Sequence, residues 1–325
     1  MLAESGVGVR RRPPGCPVDL TTTVGSVTLP SPVMTASGTA GHGAELGRYL
    51  DLAALGAVVV KSISAEPWDG NPAPRVHETP AGMINSVGLQ GPGMAVWLAD
   101  ELPELLDLGV QRVVASIWGR TVADYARAAD LLAAAPAEVV AVEVNLSCPN
   151  TEAGRHLFAH DPAASAEVIA ATSGCNRPRW AKLSPNTDRL VEVAGAVHDA
   201  GAEAVTLVNT LLGLAIDPET RRPRLGAGGG GLSGPAIHPV AVRAVHDVHA
   251  ARPELPIVGV GGVTDGATAV ELLLAGARAI QVGTATFARP TAPLDVQHDL
   301  EHWCRRHGVT AVADLIGDVH ERPRA

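Results

Sequence analysis

Aromatic side chains are scarce: the 325 residues include only 2 Phe and 2 Tyr. A core built without them must pack Ala, Val, Leu and Ile, which favours regular α/β layers over an aromatic-centred sandwich. Cysteine is sparse as well. Cys16, Cys148, Cys175 and Cys304 form no CxxC pair, so the spacing supports neither a disulfide framework nor a zinc or iron-sulfur site. A reduced, cytoplasmic protein without a metal centre is expected. Basic residues are in deficit, and a net charge of -9 argues against a nucleic-acid surface, which needs a basic stripe. No apolar run reaches the length of a membrane span. Residues 1–18, with Arg10-Arg11-Arg12-Pro13-Pro14, lack the apolar segment of a signal peptide and read as a disordered tail.

What the chain does contain is alternation. After a small hairpin (Leu20–Val24 and Ser26–Leu29, around a glycine) that could floor a barrel, eight strand-like runs follow. They are Pro32–Ala36, Ala57–Lys61, Arg112–Ile117, Val139–Asn145, Arg179–Leu183, Ala204–Asn209, Pro256–Val260 and Ala279–Val282. Between them lie Ala/Leu/Val-rich stretches with helical spacing, such as Val122–Ala134, Pro162–Thr172, Leu190–Ala200, Ile237–Ala250 and Ala267–Ala275. Strand then helix, eight times over, predicts a closed (β/α)8 TIM barrel spanning 19–317, with a tail over 318–325. An open Rossmann-type sheet is the runner-up, but its glycine fingerprint is missing after the early strands. Two long interruptions, Ser64–Gly93 with five prolines and Thr210–Pro235 with a glycine run at Gly228–Gly231, read as loops over the carboxyl-end face. For the glycine run, a plain flexible linker is the competing reading.

The chemistry concentrates at strand ends. Val142-Glu143-Val144-Asn145-Leu146-Ser147-Cys148-Pro149-Asn150 is a buried strand that ends in amides around a thiol. Proline stops the strand, which sets Cys148 on the barrel rim where active sites are built. The thiol is a candidate nucleophile, general base or buried filler. Asn85, Asn145, Asn150 and Asn209 offer paired donors and acceptors suited to the edge of a flat polar ring. Lys61 and Lys182 both close strand-like runs; a lysine facing the mouth needs an anion or an electron-rich ring. Gly261-Gly262 and Gly283-Thr284 follow the last two strands, the common phosphate position of barrels. His42, His77, His156 and His160 show no metal-ligand spacing and read as surface or loop residues.

Taken together, these stretches resemble class 1 dihydroorotate dehydrogenases, and subfamily B most, over nearly the whole chain from Val18 to Gly317. The motifs are Pro32–Thr39, Gly70-Asn71-Pro72-Ala73-Pro74-Arg75, Glu78–Asn85, Asn145–Asn150, Lys182-Leu183-Ser184-Pro185-Asn186, Asn209 through Asp217–Pro223, Gly231–Ile237 and Gly261-Gly262. The resemblance implies FMN held by Ser37, Lys61, Ser62, Ser116, Asn145, Lys182, Val208, Gly234, Gly261, Gly262, Gly283 and Thr284. It implies dihydroorotate held by Lys61, Asn85, Ser86, Val87, Gly88, Leu89, Asn145, Asn209 and Thr210. Cys148, with Lys61, would be catalytic, taking a proton from C5 while hydride leaves C6. It further implies a homodimer joined by an electron-transfer subunit, carrying FAD and an iron-sulfur cluster, into a heterotetramer that passes electrons to NAD. One departure stands out. Ser116 and Trp118 occupy places where the family has an asparagine contacting FMN and a small residue, so a weakened or water-bridged flavin contact is expected. A paralogue acting on another dihydropyrimidine or cyclic amide, or a barrel that has lost FMN, are the alternatives.

Overall fold

The structure, a computed structural model, describes residues 17–147 and 158–321. Eight parallel strands form one sheet that curls into a barrel: Val33–Thr35, Val58–Val59, Val113–Ile117, Val139–Asn145, Arg179–Lys182, Ala204–Leu207, Ile257–Val260 and Ala279–Val282. Closure between the first and second strands runs through a parallel bridge from Met34 to Ala57. There the Thr35 hydroxyl also donates to Val59 O and accepts from Val59 N. Every residue of these strands is buried except Val140 and Arg179, which are half-buried. Strands covered on both faces are expected to read as near-continuous β-branched runs. The eight expected strands are all present.

Helices return the chain along the outside: Val122–Leu132, Pro162–Ala171, Leu190–Asp199, His238–Ala251, Gly266–Leu274 and Ala292–His307. Their starts are locally encoded. Thr121 and Asp124, and again Asp265 and Thr268, form reciprocal capping boxes, while Asp161 caps Ala164 N ahead of Pro162, each satisfying amides the helix itself leaves unpaired. The first crossover departs from the strand-then-helix expectation. It holds only short 3-10 turns at Glu45–Arg48 and Leu52–Ala54. Gly41, Gly43 and Gly47 raise the entropic cost of a regular helix there.

The hairpin does floor the barrel. Thr22–Val24 pairs antiparallel with Val27–Leu29, and Val24, Val27 and Leu29 pack on Met34, Val59, Val114, Trp180, Val258 and other strand residues. At the opposite end, the two long interruptions are not plain loops. Val76–Thr79, Gly82–Asn85, Gly230–Ser233 and Leu211–Gly213 make a four-stranded antiparallel sheet over the carboxyl-end face. Gly231 pairs with Asn85 and Ser233 with Met83, so the two insertions hold each other. The last two glycines of the run, Gly230 and Gly231, belong to this sheet. A Cβ on Gly230 would stand 2.4 Å from Asn85 O, and one on Gly231 2.0 Å from the Thr210 hydroxyl. Close backbone approach, not flexibility, is what these glycines provide.

The expected tail at 318–325 begins instead with a short helix, Asp318–Glu321. It is docked by His320, whose ring stacks 4.4 Å from that of His246. Residues 1–16, the bulk of the expected N-terminal tail, lie outside the described residues, as do 322–325.

Candidate active site

One cavity of about 330 Å³ opens at the carboxyl end of the barrel beneath the cap sheet, within the range of small-molecule sites. Ser37, Lys61, Ser62, Asn145, Lys182, Val208, Gly234, Gly261, Gly262, Gly283 and Thr284 line it, and so do Asn85, Ser86, Val87, Gly88, Leu89, Asn209 and Thr210. The tertiary structure thus gathers on one surface residues spread from 37 to 284. Lys61 and Lys182 are the only lysines in the chain, and both stand on this wall. Cys148, Asn150 and His156 lie outside the described residues.

Asn145 is the hub. Its Nδ2 donates to Ser62 Oγ at 3.3 Å. Its Oδ1 accepts from Ser147 N at 3.2 Å and from Asn209 Nδ2 at 3.2 Å. The Tyr125 hydroxyl donates to Asn145 O at 2.6 Å, tying the strand end to the helix outside. On the far wall, His238 Nδ1 lies 2.8 Å from Gly261 O, and Thr284 Oγ1 donates to Ser233 Oγ at 2.8 Å. Gly261 and Gly262 have φ of 138° and 68°, values that side-chain-bearing residues rarely adopt. The seventh strand can therefore turn sharply into the wall.

Two of the lining hydroxyls, Ser86 Oγ and Ser147 Oγ, are buried with no hydrogen-bond partner among the described residues. Buried polar atoms are rarely left so, and orphans on a cavity wall call for a polar ligand. An FMN-sized group fits this donor set: two ammonium groups, amides at Asn145 and Asn209, and glycine turns after the last two strands.

Ser116 differs from the other expected contacts. It is fully buried and off the cavity wall, with its Oγ 2.9 Å from Ser62 Oγ. Ser62 Oγ in turn lies 3.1 Å from Ser37 Oγ. The serine at this place supports a wall residue from behind. Trp118 is likewise buried outside the cavity, edge-on to Trp68 with ring centroids 6.1 Å apart. Trp68 Nε1 donates to Gly88 O at 2.9 Å, and the Arg120 guanidinium sits 4.5 Å above the Trp68 ring. The large residue therefore buttresses the Asn85–Leu89 loop without filling the cavity.

Two features went beyond the sequence reading. His42 lies in a loop, as expected, but is half-buried there, and its Nε2 has no partner among the described residues. Burial, with Lys61 adding repulsion, pushes its pKa down from the usual 6.5. The second is Glu143. It occupies an inward position two residues before Asn145, fully buried, with its Oε1 3.2 Å from Lys182 Nζ. A carboxylate amid Val139-Val140-Ala141-Val142 and Val144 was the signal, since a charge is seldom buried without a partner.

No helix among the described residues is long and apolar enough to cross a membrane, and no group of three or more His, Cys, Asp or Glu among them is placed to hold a metal ion. The fold and the cavity together define a parallel barrel whose mouth is lined by both lysines, by amides and by glycine turns. The family model described as dihydroorotate dehydrogenase matches residues 19–303. The chain belongs to the dihydroorotate dehydrogenase family, a family of flavin-dependent oxidoreductases. It is 48% identical over 298 residues to the Desulforudis audaxviator dihydroorotate dehydrogenase B (NAD(+)) catalytic subunit, covering 91% of this chain and 96% of that one. The Pelobacter propionicus protein of the same name is 45% identical, covering 92% and 98%. A Solibacter usitatus relative, provisionally named dihydroorotate dehydrogenase A (fumarate), is 46% identical, again covering 92% and 98%.

Proposed function

We propose that this chain oxidises (S)-dihydroorotate to orotate in pyrimidine biosynthesis, with FMN bound in the cavity at the barrel mouth. The observation that carries the proposal is the convergence of both lysines with Asn85, Asn145 and Asn209 around one cavity, in a chain of this family. Bound FMN supplies the acceptor for the hydride leaving C6. The residues of the chain do the rest. Lys61, Asn145 and Asn209 grip the carboxylate and amide edges of the pyrimidine, and the Asn85–Leu89 segment closes on it from the cap sheet.

Cys148 follows directly on Ser147, whose backbone N–H is turned back onto Asn145 Oδ1, and takes the C5 proton as general base. A thiol acts as a base in its thiolate form, which amide donors or a nearby cation favour. Lys182, at the cavity wall, stabilises the negative charge that accompanies flavin reduction.

The reading extends to a cytoplasmic catalytic subunit, homodimeric and paired with an electron-transfer subunit carrying FAD and an iron-sulfur cluster. NAD as the final acceptor follows the names of the B-type relatives. The provisional fumarate assignment of the Solibacter protein makes the acceptor the part most worth testing. The visible spectrum of the purified chain, before and after anaerobic dihydroorotate, tests the core of the proposal. A flavin spectrum that bleaches supports it; a flavin that stays oxidised shifts the substrate to another cyclic amide, and a colourless protein removes FMN. Adding fumarate, or NAD with the partner subunit, to the bleached protein then identifies the acceptor by which one restores the colour.

A further inference from the structure

Barrel interiors are ordinarily filled by layers of branched apolar side chains. The floor of this barrel conforms; the layer just below the cavity does not. Glu143, Lys182, Thr206 and Gln281, on the fourth, fifth, sixth and eighth strands, are all buried. Glu143 Oε1 accepts from Lys182 Nζ at 3.2 Å. Glu143 Oε2 accepts from Gln281 Nε2 at 2.6 Å and from Thr206 Oγ1 at 3.1 Å. Gln281 Oε1 accepts from Lys182 Nζ at 3.2 Å. The carboxylate is thus held by three donors. The ammonium gives two of its three protons to this network, and it is the member of the set that lines the cavity.

A buried ion pair is weak as a source of stability, because desolvation offsets the attraction, and apolar residues of similar volume often do as well or better. An ionic layer in this position therefore calls for another role. We propose that Glu143, clamped by Thr206 and Gln281, is a positioning residue that sets the reduction potential of the bound flavin by fixing the Lys182 ammonium and tempering its charge. The inference rests on the reading above that FMN occupies the cavity. Reduction adds negative charge to the flavin, and a cation on the cavity wall favours the reduced form. A carboxylate immediately behind that cation cancels part of the effect, so the cavity meets the field of an oriented pair instead of a full positive charge. Glu143 acts through Lys182 and does not itself line the cavity.

The test is the midpoint potential of FMN in the purified holoprotein, with oxidised-FMN affinity and urea unfolding measured alongside. Glu143→Gln keeps the shape and an acceptor oxygen but removes the charge. It is expected to raise the preference for reduced over oxidised FMN about tenfold, a rise of about 30 mV for a two-electron couple. Glu143→Asp keeps the charge but withdraws it by one methylene, and a smaller rise of about threefold in that preference is expected. A filling role alone would change unfolding and leave the potential where it was. An unchanged or lowered potential overturns the inference. If Glu143→Gln fails to accumulate as folded protein, the potential of Glu143→Asp decides in its place, by the same criterion. A wild-type chain that binds no FMN overturns the FMN reading and this inference together, whereas FMN at an unaltered potential in the variants overturns this inference alone.

Discussion

The two ends of the barrel are built from the same strands yet obey opposite rules. At the floor, Val24, Leu29, Met34, Val59, Val114, Trp180 and Val258 are wholly buried and apolar. At the mouth, the same strands or their extensions end in Lys61, Asn145, Lys182, Asn209 and glycine turns. The floor contributes burial free energy at roughly 25 cal/mol per Å² of apolar surface. The mouth contributes little of that and leaves polar atoms such as Ser86 Oγ without partners among the described residues. Stability and chemistry are thereby separated along the barrel axis. Substitutions at one end should leave the other end's measurement nearly untouched.

The sharpest way to break this comparison is at Cys148. Cys148→Ala is expected to slow flavin reduction by dihydroorotate by at least roughly a hundredfold to ten-thousandfold, the usual worth of a general base. FMN content and the urea midpoint should stay as they were. Stopped-flow reduction kinetics check it, and unchanged kinetics would remove Cys148 from the mechanism. The mirror experiment is at the floor. Trp180→Ala empties a large, fully buried site and should cost about 3–5 kcal/mol of stability in urea unfolding, while FMN affinity of the folded fraction holds. Trp180→Phe should cost less, since the indole N–H has no hydrogen-bond partner to lose among the described residues.

The cap sheet lies between these extremes. Gly231→Ala would drive a Cβ into the Thr210 hydroxyl, so about 1–3 kcal/mol of strain is expected. It should appear mainly as a raised KM for dihydroorotate, because Thr210 and Asn85 both line the cavity. A shift confined to unfolding, with KM unchanged, would make the cap purely structural.

The smallest effect is in pH dependence. Burial pushes the pKa of His42 and of His249 below the usual 6.5, with Lys61 adding to it at His42, and His320 and Arg278 at His249. The unfolded chain then binds more protons than the folded one just below pH 6.5. Stability present above that pH is lost as pH falls through the lower folded values. The urea midpoint should drop between pH 7 and pH 5, and His42→Asn should flatten part of that slope. A midpoint that rises on acidification would contradict both assignments.

Much of this was legible in the chain itself. Continuous β-branched runs located all eight barrel strands, and helical spacing placed helix starts at Val122, Pro162, Leu190, Ile237 and Ala267, each within a residue of the start observed. Lys61, Asn145, Lys182 and Asn209 could be singled out because each sits at a strand end or just after it, whereas Ser37, Ser62, Ser86 to Leu89, Val208 and Gly234 were named only through the family resemblance. Ser116 was harder, because a residue's side of the barrel wall is not written in its own neighbourhood. The cap sheet was missed for a related reason. Proline and glycine in Ser64–Gly93 and Thr210–Pro235 signal loops locally, but its central pairing joins segments nearly 150 residues apart, as Asn85 with Gly231.

Strand-like runs, helical spacing and composition by themselves determined the barrel and its polarity, because those signals act over a few residues. Tertiary structure alone decided which polar groups meet. Glu143, Lys182, Thr206 and Gln281 come together only because the barrel closes, and His42 is half-buried where its carbonyl accepts from Trp97 Nε1, 55 residues further along the chain. Pairing of buried charges depends on distance in space, and no local pattern in the sequence carries that distance.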